Sequence, residues 1–422
     1  MSHFLERRRK SARRREGFTL IELMVALVAG IIAVGSVYAL SAGSSRHFQD
    51  QQRIATTQTS VRMAMEQVRA DIERAGFYAP ADSNAEPSCM RPAFRIRAVE
   101  MTDSSDPTNT DETVIDPSRL NGSESDRLVL VGNFSTSGAY LVSNVLGAGG
   151  SLSLQSSWQA FRRDFGVPGT TSGPWAYSAS QFEAAFNPPN NSGGIQRVLR
   201  LTTMQGQNFY PHITSAVGNM GTPGNPAVIN LSPSLPIGGT CMVGLGDGAT
   251  VAPLTRVEYR VMSPAAAGLT ALVGSTPTAT LQAIEGSPAV LVRRELTFDN
   301  STPIAGTTRV VLEYVADFDV SFVIDTNART TTAPNLVRVS GRNAQSAAAN
   351  TPWAIRSVIV SVSGRTPVGD PKFPVTGGAG TTDMNGVHVP PTRFAPGTGA
   401  SAVSLGSRVR TMSTEIRLPN LR

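Results

Sequence analysis

Residues 18–40, "FTLIELMVALVAGIIAVGSVYAL", are an apolar run of 23 with a single charge, Glu22. About 20 apolar helical residues cross a hydrocarbon core, so this stretch requires lipid, or other apolar helices, around it. Arg7, Arg8, Arg9, Lys10, Arg13, Arg14 and Arg15 precede it against only Glu6 and Glu16, and such an excess holds its side of a span in the cytoplasm. Everything after the run is expected on the far side. A secretory signal has a shorter apolar region, about 7–15 residues, and a small-residue cleavage site. Nothing of that kind ends this run. The chain reads as a basic leader (1–17), a membrane half-helix (18–45), an amphipathic half-helix (46–76) and a large head (77–422).

Glu22 is the anomaly. A carboxylate near the end of a span costs less than the roughly 2.5–3.5 kcal/mol charged at its centre, but in lipid it still needs a partner. The order G-F-T-L-I-E (residues 17–22) offers one. A cut between Gly17 and Phe18 creates an α-amino group four residues before Glu22, and a neighbouring molecule with the same cut would present its amine to this carboxylate. The alternative is a tolerated acidic residue in an ordinary signal anchor.

The basic leader, Gly17, Phe18, Thr19, Leu20, Ile21, Glu22 and the apolar helix resemble the class III signal of type IV pilins and type II secretion pseudopilins. The resemblance implies a membrane-embedded aspartyl prepilin peptidase that cuts after Gly17 and methylates Phe18, with Glu22 guiding entry into a filament. On that reading the chain is a substrate and not an enzyme.

Losing the leader removes 7 of 37 Lys+Arg and 2 of 31 Asp+Glu, leaving 30 against 29. The mature chain is nearly neutral, so bulk charge gives no ground for nucleic-acid binding. Beyond the span, Ile54, Val61, Met65, Val68, Ile72 and Ala75 recur at helical spacing, while Arg62, Glu66, Arg69 and Glu73 stay on the polar side. This stripe is expected to pack on the chain's own head. Gly76 is the expected C-cap, and Pro80 prevents the helix from resuming.

The head changes character. Gly and Pro make 67 of the 422 residues, near 16% against about 12% on average, and its apolar residues fall in short β-branched or alternating runs. Strands are expected at 94–101, 127–134, 139–145, 197–203, 254–262, 289–298, 309–315, 317–325, 354–364 and 407–418. The fold class is α+β: a long N-terminal helix packed on a mainly antiparallel, β-rich head. The head's length allows two lobes, with a junction in the Gly/Pro-rich stretch 217–253.

The head also narrows the resemblance. "SVRMAMEQVRADIERAGFY" (60–78), "LEYVADFDVSFVIDT" (312–326), "IRSVIVSVSGRT" (355–366) and "SRVRTMSTEIRLPN" (407–420) are similar, in that order, to segments of the PilW-type minor pilins. This implies a single-pass inner-membrane protein with its head in the periplasm, bound for the pilus or its tip at the cell surface. It would join other minor and major pilins in a complex that primes or caps the type IV pilus, which serves twitching motility and cell adhesion. A type II secretion pseudopilin and a tip-exposed adhesin or DNA-uptake pilin are the alternatives. Residues 80–305 match no segment of that family.

The chain offers little for catalysis. Its four histidines are His3, His47, His212 and His388, and only the last two fall in the head, with no metal-ligand or triad spacing. No metal and no cofactor are expected. "GAGG" (147–150), "GLGDG" (244–248) and "DTNART" (325–330) read as loops or turns. Cys89 and Cys241 are the only cysteines. In an oxidising compartment they form one disulfide or remain two buried thiols. A disulfide would close a loop of about 150 residues, on the order of 5 kcal/mol in the chain-entropy account. Residues 158–186 hold seven aromatics, Trp158, Phe161, Phe165, Trp175, Tyr177, Phe182 and Phe186, and a Ser180/Glu183 capping-box pattern. They form either a satellite core under long loops or a surface for a partner or for stacked single-stranded DNA.

Overall fold

The computed structural model describes residues 18–103, 125–166, 177–189, 193–218, 227–236, 245, 248–264, 266–269, 289–330, 332–367, 370–375, 381–382, 388–389, 393–394 and 404–421. Helix α1 runs Leu20–Arg74 without a break. The chain divides into two compact units, 1–56 and 57–422.

In the first unit, every side chain from residue 18 to 40 is exposed. Phe18 is 85% exposed and Leu20 77%. So many uncovered apolar groups call for lipid or other apolar helices around them, and the helix is long and apolar enough to cross a membrane.

In the second unit the same helix changes its surroundings. Val61, Ala64, Met65, Val68 and Ile72 are buried, as the spacing of the stripe requires, while Arg62, Glu66, Arg69 and Glu73 stay exposed. The helix ends at Arg74, and Gly76 just past it has a φ of +72°. A Cβ there would come within 2.6 Å of Leu421 Cδ2, so both the backbone conformation and the space favour glycine.

Strands β1 (Ser88–Met90), β2 (Val99–Thr102), β3 (Arg127–Gly132), β4 (Tyr140–Leu146), β5 (Ser151–Leu154), β6 (Val198–Thr202), β7 (Asn208–Phe209), β8 (His212–Gly218), β9 (Ala227–Ser232), β10 (Thr250–Met262), β11 (Val290–Leu296) and β12 (Arg309–Glu313) form one twelve-stranded sheet. Among the described residues only the β1–β7 pair in it is parallel. Strands β13 (Val315–Asp325), β14 (Leu336–Val339), β15 (Ile355–Arg365), β16 (Asp370–Val375), β19 (Arg393–Phe394) and β20 (Ser404–Arg417) form a six-stranded sheet. The short β17 (Thr381–Thr382) and β18 (His388–Val389) pair with each other. The protein is therefore α+β, with a long helix followed by a mainly antiparallel head.

Two apolar clusters dominate the head. One joins the α1 stripe to β2, β3, β10, β11, β13, β15 and β20. The other is built by β4–β6, β8, β9, the start of β10 and two short helices, α2 (Gln159–Phe165) and α3 (Ala179–Phe186). Strand β10 is 13 residues long and serves both. Its residues 250–254 pair with β6, and 255–262 pair with β3 or β11. Of the stretch 217–253, the described residues are the end of β8, β9, the loop after it, residue 245, residues 248–249 and the start of β10. The last helix, α4 (Gly341–Asn350), buries Ala344, Ala347 and Ala348.

The aromatic segment is core. Phe161, Phe165, Phe182 and Phe186 are at most 2% exposed and pack with Tyr140 at centroid spacings of 4.9–6.2 Å. Trp158 alone is a largely exposed ring, at 43%, and Trp175 lies outside the described residues. The cap of α3 also differs from expectation. Ser178 Oγ, two residues before Ser180, accepts from Gln181 N, and Glu183 Oε1 accepts from Gly218 N at 3.2 Å instead of closing a capping box.

Candidate assembly site

The N-terminus of α1 is where the sequence placed its functional residues. Gly17 lies outside the described residues. Phe18 is the first described residue, Thr19 is the N-cap, and Glu22 sits in the first turn. Thr19 N–H donates to Glu22 Oε2 at 2.9 Å, the Thr19 hydroxyl donates to the same oxygen at 2.9 Å, and Glu22 N–H donates to Thr19 Oγ1 at 3.3 Å. This is a reciprocal capping box. It satisfies two of the backbone groups that a helix start leaves orphaned, and the carboxylate lies at the positive end of the helix dipole. Both bonds that Glu22 accepts end on Oε2. Its Oε1 takes none among the described residues and stays open to a further donor.

Sequence reasoning placed Glu22 but missed Thr19. The signal was present, because T-x-x-E directly before an apolar run is a helix-start signature.

The other end of α1 is held by polar bonds from elements distant in sequence. Asp71 Oδ2 accepts from Tyr259 Oη at 2.7 Å and from Arg293 Nε at 2.6 Å. Burial, together with the Asp71 carboxylate, pushes the Tyr259 hydroxyl well above its ordinary pKa, so it remains a donor. Arg74 donates to the carbonyls of Asn133 and Thr136 at 2.7 and 2.5 Å. Asn420 Nδ2, from the end of the chain, donates to the carbonyls of Glu73 and Ala75 at 3.0 and 3.3 Å. It supplies donors to carbonyls that the helix end leaves unpaired.

Of the two cysteines, Cys89 lies in β1 and Cys241 lies outside the described residues.

A family model described as the prokaryotic N-terminal methylation motif matches residues 12–38. The match includes Gly17, Phe18, Thr19 and Glu22. No curated protein and no solved structure matches the chain. The chain thus carries the class III signal of type IV pilin and pseudopilin-like precursors, followed by a long apolar helix and a β-rich head.

Proposed function

We propose that this chain is a PilW-type minor pilin of a type IV pilus. Prepilin peptidase cuts it after Gly17 and methylates Phe18. The product is a structural subunit, held in the inner membrane by residues 18–45 with its head in the periplasm, and it joins other minor and major pilins to prime or cap the filament.

The observation that carries this reading is the free Oε1 of Glu22 behind an exposed apolar helix start. One oxygen of the carboxylate completes the helix's own cap, and the other remains for the amine of a neighbouring subunit. An amine buried among apolar helices needs an opposite charge, which apolar packing cannot supply.

Mass spectrometry of the cellular protein is expected to show a chain beginning at methylated Phe18. Glu22→Ala is expected to be cut but to stay out of sheared filaments, whereas Gly17→Arg is expected to accumulate uncut. Detection of only the 422-residue precursor would overturn the reading. A processed Glu22→Ala chain that assembles like wild type would overturn the charge-pairing role. The N-terminal motif is shared with type II secretion pseudopilins, and filament co-purification distinguishes the two systems directly.

A further inference from the structure

We propose that the outer edge of β20, from Val409 to Arg417, receives an antiparallel strand from a neighbouring pilus subunit that carries a carboxylate opposite Arg417. The proposal rests on the pilin reading above.

The backbone register supplies the first argument. Strand β20 pairs with β15 without a shift from Arg417 opposite Ser357 to Val409 opposite Arg365. Just beyond the two ends, Leu418 N donates to Arg356 O and Thr366 N donates to Arg408 O, each at 3.0 Å. In an antiparallel pair, residues alternate between turning both backbone groups toward the neighbour and turning both away. Both ends give the same parity. Residues 410, 412, 414 and 416 bond β15, while Val409, Thr411, Ser413, Glu415 and Arg417 turn their N–H and C=O outward.

On that outer side β16 pairs only with residues 404–406 and β19 only with 407–408. Among the described residues nothing pairs with the five outward positions. Such a row is a template for an added strand.

The second argument is where the row ends. Glu415, Ile416 and Arg417 line a groove of about 1450 Å³, with the end of α1 (Arg69, Glu73, Arg74) and Arg163 and Asp164 of α2 among its other walls. Arg69 pairs with Glu73 at 2.9 Å and Arg163 with Asp164 at 3.3 Å, and Arg74 is committed to the carbonyls of Asn133, Phe134 and Thr136. Glu415 accepts from Ser357 Oγ at 2.6 Å. Arg417 is exposed and has neither an ion pair nor a hydrogen bond among the described residues. It is the groove's one charged side chain with neither kind of partner among the described residues, and the lining holds four arginines against three carboxylates, which is why the incoming strand should bring a carboxylate.

Exposed charges at Arg410, Glu415 and Arg417 also deter indiscriminate pairing, so the edge selects a complementary strand. The opposite edge of this sheet, β14, is only four residues long.

The test is hydrogen exchange of the full, processed chain, first purified alone in detergent and then within sheared filaments. Alone, the amides of Thr411, Ser413 and Glu415 should exchange freely while those of Met412, Thr414 and Ile416 are protected. In filaments the outward amides should slow by roughly 10-fold or more. Ser413→Pro removes one outward N–H and no bond to β15, and Arg417→Glu reverses the groove charge. Both are expected to be processed and folded but depleted from filaments, with Arg417→Lys retained.

Outward amides already protected in the isolated chain would overturn the proposal, because the chain would then cover its own edge. Fast exchange in filaments that contain the chain, or normal assembly of Ser413→Pro, would overturn it while leaving the pilin reading standing. A chain never processed or never found in filaments would overturn both.

Discussion

Glu258 on β10 is fully buried and accepts from Arg127 on β3 and Arg294 on β11. Burial alone would raise its pKa, but the two guanidinium groups outweigh that and hold it below its ordinary value of 4.5. Glu258→Gln keeps the shape and removes the charge. The arginine side chains are only 21% and 12% exposed, so water restores little of what they lose. Breaking a buried pair typically costs about 3–5 kcal/mol. The retained amide oxygen puts the expected loss near the lower end, about 3 kcal/mol, which is a roughly 100-fold fall in the folded-to-unfolded ratio. All three tryptophans, Trp158, Trp175 and Trp353, lie in the head, so urea unfolding of the full chain in detergent, followed by tryptophan fluorescence, reads the head alone. A group whose pKa is depressed by folding gives stability that is complete above its unfolded value and fades as pH falls through the folded one. The deficit of Glu258→Gln should therefore be complete at pH 7 and shrink below about pH 4.5. A variant within about 0.5 kcal/mol of wild type at pH 7, or a deficit that does not change with acid, would refute this account of the triad.

Two further outcomes test how the head is held together. A Cβ on Gly364 of β15 would stand 2.7 Å from Val61 Cγ2 and 3.5 Å from Thr57 Cγ2 of α1, so Gly364→Ala should cost about 1–3 kcal/mol by overpacking. Adding Val61→Ala should recover part of that loss in the same fluorescence assay, and strict additivity of the two losses would speak against a direct clash. If Cys89 and Cys241 pair, the oxidised chain should run faster than the reduced one on a non-reducing gel, and Cys241→Ser should abolish the difference. Two titratable thiols in the native protein would rule the pairing out.

Nine of the ten strands expected from the sequence occur close to the expected bounds, because each holds β-branched or alternating apolar residues dense enough to bury a face, whereas the expected strand 94–101 is strand only from 99 onward, in β2. Two of the strands that escaped reading are short of apolar residues. In β5 (S-L-S-L) and β8 (H-I-T-S-A-V-G) the apolar positions are few and the rest is Ser, Thr, His or Gly. Their strand character comes from neighbours: β5 lies between β4 and β9, and β8 between β6 and β9. Composition within a window cannot reveal such support. The double role of β10 was hidden for a related reason. From the sequence only 254–262 is expected as strand, with 250–253 falling in the Gly/Pro-rich stretch, and only the partners of β10 show that it runs on from one cluster into the other.

The two ends of α1 show how legibility depends on distance. Thr19 and Glu22 are three residues apart, so their mutual cap is a local pattern that the sequence displays in full. Asn420 caps the other end across nearly the whole described chain, and in the sequence it is merely an asparagine after the last strand. Its role requires β20 to deliver the chain's end beside Gly76, and Gly76 to lack a side chain where Leu421 must pass. Replacing either residue would trouble the same helix terminus. Their joint requirement follows from the long-range register of β15 and β20 and from no property of either residue alone.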